Sequence, residues 1–159
     1  MRIKETAVYT FEELNDAAKE KARDWWRGLG FEFAWCNESR GSIEAFAGYF
    51  GAKLTDWNIG PLAPLDYTVE AGNECFRGLK LRDFNRDNMP TGYALDCDLW
   101  QTFYDEFKRT GDAKGAFESA IEAGFKAWRA DMEFQLSDKY IDELLIANEY
   151  EFTIKGERA

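Results

Sequence analysis

The stretch DAKGAFESAIEAGFKAWRADMEFQL, Asp112 to Leu136, decides the fold class. Within it Phe117, Ile121, Phe125, Trp128 and Met132 recur at intervals of 4, 4, 3 and 4. That is the period of one helix face, and it predicts a long amphipathic helix with these five side chains toward the core. Glu118, Glu122, Arg129 and Glu133 occupy much of the other side. A core and an acidic outer surface are both encoded in one element, and neither is a catalytic signature.

Upstream, Asp98 to Phe107 reads as another helix, with Asp98 and Gln101 as a capping box and Leu99, Phe103 and Phe107 as its buried stripe, flanked by Trp100 and Tyr104. Gly111 interrupts it, and Asp112 caps the long helix. Downstream, Ser137 caps a helix carrying Tyr140, Ile141, Leu144 and Leu145. Tyr150, Phe152 and Ile154 then alternate with Glu151, Thr153 and Lys155, the pattern of a half-buried strand. This strand is expected to join the sheet near the first one, which is read over Ile3 to Tyr9.

Thr10 with Glu13 forms a capping box that opens a helix. Phe11, Leu14, Ala18, Ala22, Trp25 and Leu29 form its stripe, and it is expected to stop at Gly28 or Gly30. At least one of Trp25 and Trp26 is expected in the core. A further helix covers part of Asn37 to Phe50, with Ile43, Phe46, Ala47 and Phe50 on one face and Gly51 at its end. Between Ala52 and Asp96, the segments Leu54 to Ile59, Tyr67 to Glu70 and Leu79 to Phe84 read as strands separated by Gly and Pro turn signals. Together these predict a single α+β domain over residues 1–159, with a small, mainly antiparallel sheet packed against about four to five helices.

A chain of 159 residues suits one domain and buries roughly 70% of its unfolded surface. With 45% apolar and 16% aromatic residues it has ample core material despite a net charge of −10. There is neither an apolar run of the roughly 20 residues needed to span a bilayer nor a signal-peptide pattern, so a cytoplasmic protein without membrane contact is expected. Cys36, Cys75 and Cys97 are too few and too far apart for a disulfide framework or a close-spaced zinc motif, and read as reduced thiols.

The sequence contains no histidine. That removes Ser-His-Asp and Cys-His catalysis and any His-based proton relay. No phosphate-binding glycine loop is present, and no catalytic residue, metal or cofactor is assigned. Asp96-Cys97-Asp98 is the most tempting metal motif, since two carboxylates flanking one residue can grip Mg²⁺ or Mn²⁺. The competing reading gives Asp98 a capping role and puts Asp96 in the turn before the helix.

Charge is uneven along the chain. Residues 1–90 hold 12 basic and 15 acidic side chains, whereas 91–159 hold 8 and 15. Acidity opposes binding to a phosphate backbone and favours a basic protein surface. The partner-binding candidates are Asp105, Glu106, Glu118, Glu122, Asp131, Glu133, Asp138, Asp142 and Glu143, with Glu149 in the same acidic region. The alternative for such a charge run is a solvated face that confers only solubility.

The stretches Tyr9-Thr10-Phe11-Glu12-Glu13-Leu14 with Ala17-Ala18-Lys19-Glu20-Lys21-Ala22-Arg23, Ser42-Ile43-Glu44-Ala45-Phe46, Leu54-Thr55-Asp56-Trp57-Asn58-Ile59-Gly60-Pro61, and Ala147-Asn148-Glu149-Tyr150-Glu151-Phe152-Thr153 stand at both ends and in the middle of the chain. Together they resemble a family of small bacteriophage and prophage proteins, many of them labelled as the antitoxin of a toxin-antitoxin stability system. After Thr153 the chain departs from that pattern, with Ile154 and Lys155 before Gly156. The resemblance implies a phage or mobile-element protein and supplies no catalytic residue. Combined with size and acidity, it leads to an expected inhibitor of a bacterial defence or nucleic-acid-handling complex, anti-CRISPR-like, with carboxylates competing for Lys and Arg that hold DNA or RNA. The expected partner is a bacterial protein or ribonucleoprotein with a basic surface, bound by a monomer or homodimer. Two alternatives stand beside it: an antitoxin that caps a protein toxin, and a carboxylate- or metal-dependent enzyme using Asp96 and Asp98.

Overall fold

The computed structural model describes residues 7–29, 34–60 and 63–159. The fold is α+β. Its elements run β1 (Tyr9–Thr10), α1 (Asp16–Arg27), α2 (Ala34–Tyr49), β2 (Lys53–Asn58), β3 (Asp66–Glu70), α3 (Leu95–Thr110), α4 (Ala113–Gln135), α5 (Asp138–Ala147) and β4 (Glu151–Phe152). Two compact units result. One is built from the described residues up to 29 together with 133–159, and the other from 34–132.

In the first unit, β1 and β4 pair antiparallel, Tyr9 opposite Phe152 and Thr10 opposite Glu151. Phe11, Leu14, Ala18, Ala22, Ile141, Leu145 and Phe152 are buried together. Trp25 and Trp26 pack against this cluster without being fully enclosed; Trp25 meets Tyr150 at 5.5 Å and Phe152 at 6.0 Å between ring centres. Gly156 is required here for two reasons: its φ is +79°, and an added Cβ would lie 2.0 Å from the carbonyl oxygen of Ala18.

The second unit is organised by α4. Phe117, Ile121, Phe125, Trp128 and Met132 are all buried, as their spacing required. Against them pack Phe46, stacked on Phe117 at 5.5 Å, and Tyr67 of β3, stacked on Phe125 at 4.2 Å with rings 2° from parallel. Leu99 of α3 sits so close to Gly124 that a Cβ there would meet its Cδ2 at 2.6 Å. Burying each large apolar side chain stabilises by about 1.5–3 kcal/mol, so this aromatic seam dominates the unit.

Several local expectations are corrected. The expected sheet is two separate two-stranded sheets, β1–β4 and β2–β3. The first strand occupies only Tyr9 and Thr10 among the described residues; of its expected span, Ala7 and Val8 are not in a strand, and residues 3–6 lie outside the described residues. Glu13 does accept hydrogen bonds from the backbone N–H and hydroxyl of Thr10, at 2.8 and 3.1 Å, but they close a 3-10 turn over Phe11–Glu13. The helix proper starts later, where the Asn15 side chain accepts from the Ala18 N–H at 2.9 Å.

Leu79 to Phe84 is not a strand: a 3-10 turn occupies Leu81–Asp83, and Phe84 stacks on Phe50 at 5.8 Å. Its aromatic side chain supplies core contact without strand pairing. The last strand is likewise shorter than its alternation, because Gly156 turns the chain back and Arg158 bridges to Phe152.

Candidate functional site

The most polar buried group is Asp96, 0% exposed. It is the second residue of α3 and lies within the helix, which begins at Leu95, correcting its expected place in the preceding turn. Its carboxylate accepts from the Thr91 N–H at 3.0 Å, the Gly92 N–H at 2.9 Å and the Thr91 hydroxyl at 2.8 Å. Since the Thr91 hydroxyl donates to Asp96, buried Ser42 on α2 donates to Thr91 across 3.0 Å. Asp96 thus pins the loop before α3, and through Ser42 that loop is tied to α2. It is a satisfied structural carboxylate rather than half of an open acidic pair.

Asp98 is not a cap either, because the helix is already under way at Leu95 and Ala94 holds the cap position. Although its side chain reaches solvent, the protein around it desolvates the carboxyl and raises its pKa. No group of three or more Cys, Asp or Glu side chains among the described residues is placed to hold a metal ion. All three cysteines are free thiols, and burial pushes that of Cys36 up.

The nominated carboxylates fall in both units. On α3, Asp105 receives a two-pronged bond from Arg86, at 2.9 and 3.1 Å, which holds its pKa below the ordinary value. Glu106 pairs with Arg109, one turn on. On α4, Glu122 pairs with Lys126, whereas Glu118 is exposed beside a cleft of about 290 Å³ floored by Phe76, Phe117 and Ile121. Asp131 is half-buried, and Glu133 is exposed.

In the first unit, Asp142 and Asp138 are drawn to arginines of α1. Arg23 grips Asp142 through Nε and Nη2 at 2.7 and 2.8 Å, and Arg27 pairs with Asp138, Glu20 and Asp24. These bonds tie α1 to α5, and the Arg23 pKa is raised chiefly by its bond to Asp142. At least five of the nine carboxylates therefore already hold a cation of this chain. Glu143 is exposed and makes no ion pair among the described residues.

Sequence reasoning did not nominate Glu12 and Glu151. Together with Glu149 they rim a groove of about 440 Å³ between the turn after β1 and the end of α5. The nearest sequence signal was the alternation around Tyr150, which put Glu151 on a solvent face but could not bring Glu12 beside it.

No helix among the described residues is long and apolar enough to cross a membrane. No family model, curated protein or solved structure matches the chain.

Proposed function

We propose that this protein is a non-enzymatic, acidic inhibitor that binds a basic surface on a bacterial defence or nucleic-acid-handling complex and competes there with DNA or RNA. The observation that carries the reading is the charge left over after internal pairing. Glu12, Glu118, Glu143, Glu149 and Glu151 are exposed, and their carboxylates hold no cation among the described residues. Hydrated carboxylates of this kind speed association with a basic partner and repel nucleic acid, an effect that weakens as salt screens it. The resemblance to phage and prophage proteins supports a bacterial target.

The test is capture of partners from bacterial lysate on the tagged protein at low and high salt, followed by nucleic-acid-binding assays on the recovered complex. A DNA- or RNA-handling complex should be retained at low salt, released at high salt, and lose its nucleic acid when the purified protein is added. Glu118→Lys with Glu143→Lys should weaken that competition at least tenfold. Recovery of a single small toxin, insensitive to charge reversal, would replace this reading with the antitoxin. Failure to retain any complex from several hosts would sink both.

A further inference from the structure

In the first unit, the groove at the end of α5 combines an apolar wall with an acidic rim. Phe11, Ile146 and Tyr150 form the wall, and Ile146 is 42% exposed. Glu12, Glu149 and Glu151 form the rim, and no Lys or Arg lines the groove. The C-terminal end of α5 adds the negative pole of a helix at the same place.

Glu149 is the only non-glycine residue with positive φ among the described residues, at 51°. The surrounding bonds explain why the chain turns left-handed there. The Glu149 N–H donates to the Ile146 carbonyl at 3.0 Å, and the Tyr150 N–H to the Leu145 carbonyl at 3.2 Å, the paired closure that ends a helix and favours glycine at this position. Carrying a glutamate there costs stability and puts a carboxylate on the groove's rim; such local strain is a known mark of functional positions. Nearby, the chain's own Arg158 lies 4.9 Å over the Tyr150 ring and donates to the Glu151 carbonyl at 2.7 Å, so this end of the unit already holds a guanidinium.

We infer that the groove receives a Lys or Arg side chain that a partner protein presents beside an aliphatic residue, the cation among Glu12, Glu149 and Glu151 and the aliphatic group on Ile146. The inference rests on the reading of the protein as a binder of basic partners and assigns where one contact is made. Nucleic acid is the wrong occupant, because three carboxylates would face its phosphates.

The experiment uses the intact protein and capped, fluorescently labelled pentapeptides: Gly-Arg-Val-Arg-Gly, its Gln-for-Arg counterpart and its Glu-for-Arg counterpart, followed by fluorescence polarisation. The Arg peptide should bind at least tenfold more tightly than the Gln peptide, and the Glu peptide should not bind. Glu149→Gln with Glu151→Gln should weaken Arg-peptide binding at least tenfold, whereas Glu70→Gln, on exposed β3 of the other unit, should change it less than twofold. Glu149→Gly gives the separating signature: it should raise the melting temperature while lowering peptide affinity. Equal binding of the Gln peptide, indifference to the paired Glu→Gln change, or no binding of any peptide would overturn the inference. If peptides fail to bind while a complex is still captured through Glu118 and Glu143, the groove assignment falls and the inhibitor reading survives. If peptides bind and no complex is captured, the reverse holds.

Discussion

Replacing Gly156 with alanine should damage the first unit more than the same change at any open glycine turn. At Gly156 the φ of +79° is itself unfavourable for an L side chain, and the new Cβ would lie 2.0 Å from the Ala18 carbonyl oxygen, 2.7 Å from its carbon and 2.9 Å from its Cα. All three are backbone atoms of α1, so no rotamer change relieves the overlap. Gly111 provides the control: its φ is +70°, but nothing lies within 4 Å of the added Cβ. Left-handed strain alone costs about 1–2 kcal/mol, and forcing extra volume into packed structure adds about 1–3 kcal/mol. Gly156→Ala should therefore cost about 2–5 kcal/mol, against about 1 kcal/mol for Gly111→Ala. For a chain of this size each kcal/mol shifts the melting temperature by about 2–4 °C, so thermal unfolding followed by far-UV circular dichroism separates the two variants. A Gly156→Ala protein that melts no lower than Gly111→Ala would refute the claim that the terminal turn is locked against α1.

Asp96→Ala, which strands three donors, should destabilise by about 3 kcal/mol in urea unfolding, and Asp96→Asn by less; Mg²⁺ or Mn²⁺ should leave the wild-type melting temperature unchanged if the carboxylate is purely structural. Arg23→Met leaves Asp142 and its neighbours without their shared cation and should cost about 2–3 kcal/mol, with part of the loss recovered in Arg23→Met/Asp142→Leu. The pKa of Glu20 is lowered by its hydrogen bonds to Arg23 and Arg27, and that of Asp105 by its bond to Arg86, so both stabilise the fold above their unfolded values and lose that contribution as pH falls through the folded ones. Asp98 has the opposite sign: its folded pKa is raised by desolvation, so its contribution is present at low pH and lost as pH rises through the folded value. Asp98→Asn should give a small rise in melting temperature at pH 7 that disappears near pH 3.

The long helix, the two strand segments at β2 and β3 and the Ser137 cap were legible because each is specified by neighbours within a few residues. Ser137 does accept from the Tyr140 N–H, and Gly111 does end α3 in a left-handed turn. Leu79 to Phe84 misled because a short apolar-rich segment between turn signals does not say whether its backbone is paired. Asp98 looked like a cap because Gln101 three residues on completes the pattern of a capping box, but Leu95 had already started the helix, and Asp96 is turned inward to donors at Thr91 and Gly92. The carboxylates presented a different difficulty: acidity is visible in the sequence, whereas the arginine that neutralises Asp142 lies 119 positions away. The groove depends on bringing Glu12 beside Glu149 and on a left-handed φ at a residue whose type gives no sign of it.

The first unit closes only through partners far apart in the chain, Tyr9 with Phe152 and Arg23 with Asp142, while the second is assembled wholly from the segment between them. During synthesis the second unit can collapse as its own segment emerges, but α1 must wait, with Phe11 and Trp25 uncovered, until α5 and β4 leave the ribosome. A chain cut before Glu151 never supplies Phe152 and leaves that surface open to proteases and chaperones. The Glu12–Glu149–Glu151 groove therefore exists only on chains that carry both segments of the first unit.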